Sequence, residues 1–116
     1  MHRYLTPSHF LLGQDRKKIF SINYGYAKKY RDPRTRKHIK YREGKSLMGK
    51  LAYLTINNHL GIEYSRRDDL ETIGYILIYL YLGKLPWSGI RVNTNKELAC
   101  RIAEKKMITK VEQLCS

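Results

Sequence analysis

SRRDDLETIGYILIYLYLG, residues 65–83, is the stretch whose reading decides the fold. From Ile73 to Leu82 every residue is apolar or tyrosine except Gly74. A helix that is apolar on all sides is buried on all sides, so the stretch predicts a central core helix. It is too short to cross a bilayer, which takes about 20 apolar residues. Ser65 is placed to cap the first turn, and Asp68 and Asp69 put negative charge where the helix dipole favours it. Gly83 suits a left-handed stop, with Pro86 just beyond.

On the N-terminal side, Phe10–Leu12 and Ile19–Ile22 are short apolar runs around a turn at Gly13–Arg16, which predicts a small β-hairpin. Residues 28–45, KKYRDPRTRKHIKYREGK, carry nine Lys or Arg against two acids and no apolar stripe. They read as an extended loop. Its plainest role is a solvated surface. The sharper one is an anion-binding or nuclear-import stretch formed by Lys28, Lys29, Arg31, Arg34, Arg36, Lys37, Lys40 and Arg42. Residues 46–64 mix apolar residues with Gly49, Asn57, Asn58 and Gly61, as short turns packed on the central helix would. Beyond that helix, LPWSG offers one large anchor, Trp87. Thr94 with Glu97 and Thr109 with Glu112 match the Thr-x-x-Glu capping box. They predict helices over about Asn95–Lys106 and from about Lys110 onward. The chain is thus read as mainly α.

A chain of 116 residues with 42% hydrophobic content is enough for one modest domain. Its formal charge of +13 points to acidic partners rather than to any fold. Cys100 and Cys115 have no metal-ligand spacing and read as reduced thiols. No charged-then-apolar leader opens the chain, so nucleus or cytoplasm is the expected location, with no membrane span. His2 and His9 have no third ligand at a useful spacing, and His38 and His59 read as surface or loop residues. The ten tyrosines could stack on bases, but Tyr75, Tyr79 and Tyr81 fall in the central helix, where core packing explains them better.

The order of motifs resembles the C-terminal lobe of the casein kinase I group of serine/threonine protein kinases over nearly the whole chain. Ala27-Lys28-Lys29-Tyr30-Arg31-Asp32 is similar to the family's stretch after Asp-Phe-Gly. Tyr41-Arg42-Glu43, His59-Leu60-Gly61-Ile62-Glu63, Ser65-Arg66-Arg67-Asp68-Asp69-Leu70-Glu71, Leu85-Pro86-Trp87 and Glu104-Lys105-Lys106-Met107 follow in the family's order. Thr55-Ile56-Asn57 stands where this group has Ser-Ile-Asn. The resemblance implies a partial kinase-like C-lobe around one central helix, with the N-lobe expected before Met1. It also implies that Asp69 accepts hydrogen bonds from the backbone of the catalytic loop, and that Arg3, Gly25, Gly74 and Trp87 are structural positions.

The chemistry of the family is altered. Phosphoryl transfer rests on positioning and charge neutralisation. The His-Arg-Asp loop is His2-Arg3-Tyr4 here, and a tyrosine phenol ionises only near pH ~10, which makes it a poor base. The lysine two residues on is Thr6. The magnesium-binding asparagine is His9, a poor match for a hard cation. The Asp-Phe-Gly aspartate is Asn23, within Asn23-Tyr24-Gly25. In the family's anion pocket Ala52 replaces the arginine and Leu98 the lysine, while Gly89 is kept.

Three functions follow as expectations. The first is a non-catalytic pseudokinase remnant acting through protein binding, with no cofactor and with self-association possible through an uncovered central helix. The second is a serine/threonine kinase using ATP and magnesium on acidic or primed proteins. The third is a basic module binding nucleic acid or other anions. Incomplete cover of the central helix is expected at Ile73, Ile76, Leu77 and Leu80, which would make the isolated chain marginally stable.

Overall fold

The computed structural model describes residues 1–116, and its organising element is the helix read from the sequence, α2, spanning Arg66–Leu82. Ahead of it come strand β1 (Phe10–Leu12), strand β2 (Ile19–Ser21) and the one-turn helix α1 (Ile56–His59). After it come α3 (Asn95–Ile108) and the short α4 (Val111–Leu114). The two strands form the hairpin, antiparallel with Phe10 opposite Ser21 and Leu12 opposite Ile19. Residues 27–55 contain no helix or strand, as expected of the basic loop, apart from one bridge between Arg31 and His38.

The ends of α2 behave as its sequence dictates. Asp68 Oδ2 accepts from the Ser65 backbone N–H at 2.8 Å, closing the first turn. Gly83 takes φ +73° and donates its N–H to the Tyr79 carbonyl, a left-handed stop that a Cβ would disfavour. Asp68, wholly buried, also accepts from Thr55 Oγ1 at 2.6 Å, which locks the start of α1 to the start of α2. Thr72 Oγ1 donates to the Tyr53 carbonyl at 2.8 Å one turn further on.

The core gathers Leu5, Tyr53, Tyr75, Ile76, Leu85, Trp87 and Ile102. Trp87 is 2% exposed, meets Tyr75 edge to face at 5.1 Å, and donates Nε1–H to the Ala52 carbonyl at 2.8 Å. It therefore joins the loop after α2 to the segment before α1.

Several expectations need correction. α2 is not buried all round: Leu70, Leu77, Leu80 and Tyr81 are exposed, the last at 85%. The uncovered face includes Leu77 and Leu80 as expected, but Ile76 is buried, because it points toward Trp87 and Leu5 in the core cluster. Tyr81 is accordingly not a packing residue. Gly74 has no packing role within this chain, since an added Cβ would meet nothing within 4 Å. α3 runs two residues past Lys106. Thr94 caps it by accepting from the Glu97 N–H at 3.1 Å, but Thr109 caps nothing that follows. Its hydroxyl instead donates to the Lys105 carbonyl, closing α3, and Gln113 Oε1 accepts from the Lys110 N–H at the start of α4.

The accessible surface is 8590 Å², against about 6600 Å² for a compact monomer of this mass. The radius of gyration is 15.5 Å, against about 13 Å for this length. Both quantities describe a chain more open than a compact monomer of its size.

Candidate functional site

His2 to His9, the hairpin behind them and the turn Tyr24–Tyr26 form one side of the molecule, anchored to α2 by Asp69. Its Oδ2 accepts from the His2 N–H at 2.7 Å and its Oδ1 from the Arg3 N–H at 3.0 Å. Arg3 adopts φ +69°, a left-handed backbone that costs a non-glycine residue about 1–2 kcal/mol. Such strain persists only when the surroundings over-determine it. Here Asp69 holds its backbone while its Nε–H donates to the Tyr26 carbonyl at 2.7 Å. Asp69 and Arg3 thus tie the N-terminal segment to α2 and to the Tyr24–Tyr26 turn.

Tyr4, Thr6, His9 and Asn23 lie on this side, and three of them are linked by hydrogen bonds. His9 Nδ1 bonds the Tyr4 carbonyl at 2.7 Å, so that nitrogen carries the proton and Nε2 is the acceptor. Asn23 Nδ2 donates to that Nε2 at 3.0 Å. The His9 and Asn23 side chains are therefore bonded to each other. Thr6 Oγ1 bonds Ser8 Oγ at 2.9 Å, and the Tyr4 ring stacks on Tyr26 at 5.1 Å. Asn23 sits at φ +66°, which asparagine tolerates well, at the start of the turn containing Gly25. A Cβ on Gly25 would come no closer than 3.9 Å to another group, so the turn does not demand glycine there.

His2 is buried, with Nε2 on the Ile22 carbonyl at 2.8 Å and Nδ1 accepting from the Tyr4 N–H at 3.3 Å. Both its nitrogens are thus committed to backbone. The structure contains no group of three or more His, Cys, Asp or Glu side chains that could hold a metal ion. Asp69, on the α2 side of this segment, has both carboxylate oxygens bonded to the backbone of residues 2 and 3.

The basic loop is more ordered than its composition foretold. Asp32 Oδ1 accepts from the Arg34 and Thr35 N–H groups at 2.8 and 2.7 Å, and these bonds hold its carboxyl below the usual carboxylate range. Lys28 departs from the expected anion-binding set. It and Lys45 each approach the buried Glu63 carboxylate at 3.4 Å, so the Lys28 charge is paired while its side chain stays partly exposed.

One cluster has no forewarning in the sequence. Lys106, 3% exposed, sends Nζ to the carbonyls of Leu51 and Leu54 and to His59 Nε2 at 3.1 Å, and lies about 5 Å from the Tyr75 and Trp87 rings. Three acceptors match the three N–H bonds of an ammonium. Burial pulls its pKa down to about 7, and the Glu71 carboxylate opposes that pull. His59, read from the sequence as a surface or loop residue, is instead partly buried in this cluster. Burial, and then the Lys106 charge, lower its pKa to about 4, which leaves Nε2 free to accept.

No family model matches the chain. Cys100 and Cys115 are free and exposed, and no helix is long and apolar enough to cross a membrane.

Proposed function

We propose that this protein is a non-catalytic relative of the casein kinase I C-lobe that works by binding another protein. The observation that carries the reading is the His9–Asn23 hydrogen bond: at the two positions where the family holds magnesium, an imidazole and an amide satisfy each other. A hard cation would have to break that bond and would gain one amide oxygen and a nitrogen in return, a poor ligand set. Tyr4, at the position of the base, gives its backbone carbonyl to His9 and its ring to a stack with Tyr26. By contrast, Asp69, Trp87 and the ends of α2 keep the scaffold in place.

Protein binding is supported by the exposed apolar stripe of α2, Leu70, Leu77, Leu80 and Tyr81, whose spacing puts them along one side of the helix. The test pairs two assays on the full chain. Magnesium-ATP should leave the thermal midpoint unchanged, and no radiolabel should pass from ATP to an acidic protein such as casein. A midpoint that rises only with both ATP and magnesium, together with label transfer, would establish the enzymatic reading in its place.

A further inference from the structure

We propose that the turn at residues 31–38 and the first turn of α2 form one cationic surface that binds the phosphate backbone of duplex nucleic acid without reading its sequence. This goes beyond the protein-binding reading and does not depend on it. Two connections bring the pieces together. On one side the Arg66 guanidinium lies over the Tyr30 ring at 4.3 Å, with Arg31 near the same ring at 5.4 Å. On the other, the Glu63 N–H donates to the Arg42 carbonyl at 2.8 Å, which brings Arg42 beside the segment that leads into α2 and Arg67. Between them the turn is closed by the Arg31–His38 bridge and by Lys37 O accepting from the Asp32 N–H, with Arg34, Arg36 and Lys37 at its exposed tip.

What distinguishes this surface from an ordinary charged loop is the fate of its acids. Asp32, though exposed, accepts from the backbone N–H groups of its own turn, Glu43 accepts from the Tyr41 hydroxyl, and Glu63 is buried beside Lys28 and Lys45. Arg31, Arg34, Arg36, Arg42, Arg66 and Arg67 have no carboxylate partner and are all exposed. Six guanidiniums, none ion-paired to a carboxylate and all on a hydrogen-bonded frame, suit phosphate oxygens, which they can bond two at a time. The apolar groove of the molecule lies elsewhere, between α1 and α3, so the surface lacks the desolvated anchor that protein interfaces rely on. Evenly spread phosphates need only spaced cations.

The test measures binding of the full chain to a short fluorescent DNA duplex of arbitrary sequence as salt is raised from about 50 to about 200 mM. Contacts from about six arginines should weaken binding by about a thousandfold, with a log–log slope near −5. The triple variant R34Q, R36N and K37Q, whose side chains hold no other part of the fold, should flatten the slope by about 2 to 3 and weaken binding at least about tenfold. Neutralising Lys84, Lys96 and Lys105, the same charge placed elsewhere, should leave the slope as it was. Equal effects of the two triples, or none from the first, would overturn the proposal. So would polyglutamate or phosphatidylserine vesicles competing as well as unlabelled duplex at equal charge. A helical circular-dichroism spectrum unchanged in each variant shows that folding is not the cause.

Discussion

At the scale of single residues, Asp69 and Lys106 show how far a side chain's role can be read from its neighbours in sequence. Asp69 was legible, because its motif context implied a carboxylate bonded to two backbone N–H groups, and both bonds are present. Asp69→Asn keeps the shape but replaces one acceptor with a donor, and hydrogen bonds to charged groups contribute about 1.5–3 kcal/mol. The variant should lose about that much stability in urea titration, with faster hydrogen exchange at the His2 and Arg3 amides than elsewhere; unchanged exchange there would refute the assignment. Lys106 was not legible. Its partners come from residues 51, 54, 59, 75 and 87, and no periodicity within α3 announces a buried charge.

The same cluster sets a pH dependence. His59 titrates at about 4 in the folded chain and near 6.5 unfolded, so between those values the unfolded chain binds more protons. Its contribution is therefore complete above pH ~6.5 and is lost as pH falls toward ~4. Lys106, at about 7 in the folded chain and near 10.5 unfolded, is mostly charged in both states below pH ~6 and adds slope of the same sign only toward the top of the window. Partial solvent screening of the ring leaves about 1–2 kcal/mol. The thermal midpoint should fall over this window in the native chain. Lys106→Met removes the second cause of the lowered pKa, so the His59 ring should titrate above 4 by NMR while remaining below 6.5, since burial persists. A His59 that titrates unchanged in that variant would contradict the cluster.

At the scale of elements, α2 was found in the sequence to within a residue at both ends because capping aspartates and a stop glycine act locally. What surrounds it was harder to read. An apolar helix signals that cover is needed but not which residues receive it, which is why Ile76, expected uncovered, is buried and Tyr81, expected in the core, stands exposed. Thr109 failed for a similar reason: one threonine can close the helix before it or open the one after it, and its hydroxyl bonds Lys105. Replacing exposed residues with polar ones, as in L77Q, L80Q and Y81Q, should reduce self-association in sedimentation velocity and change stability by no more than about 0.5 kcal/mol. A loss of several kcal/mol would mean that the face is covered within the monomer. Trp87→Ala, in contrast, removes a filled core site and one hydrogen bond, and should cost about 3–5 kcal/mol by denaturant titration.

At the scale of the whole molecule, about 2000 Å² of surface beyond that of a compact monomer stands against a typical net stability of roughly 5–15 kcal/mol. A fold with 18 of 116 residues buried has little reserve, and a partner that covers α2 would stabilise it by mass action. The isolated chain should accordingly melt broadly and at low temperature, by calorimetry, unless it self-associates; a sharp, reversible transition in a monomer would contradict this. Charge follows a different logic from packing. The +13 was plain in the sequence, but only the fold shows Asp32 bonded to its own turn's backbone, Glu43 to Tyr41, and the loop's arginines without an ion pair.

The claim that the site no longer performs phosphate chemistry rests on the bond between His9 and Asn23. It is tested most directly by following the Asn23 side-chain amide resonances while magnesium-ATP is added to the full chain. The account predicts resonances that stay in place throughout, with the His9 ring unperturbed. A saturable, magnesium-dependent shift of the Asn23 amide and the His9 ring together would contradict it.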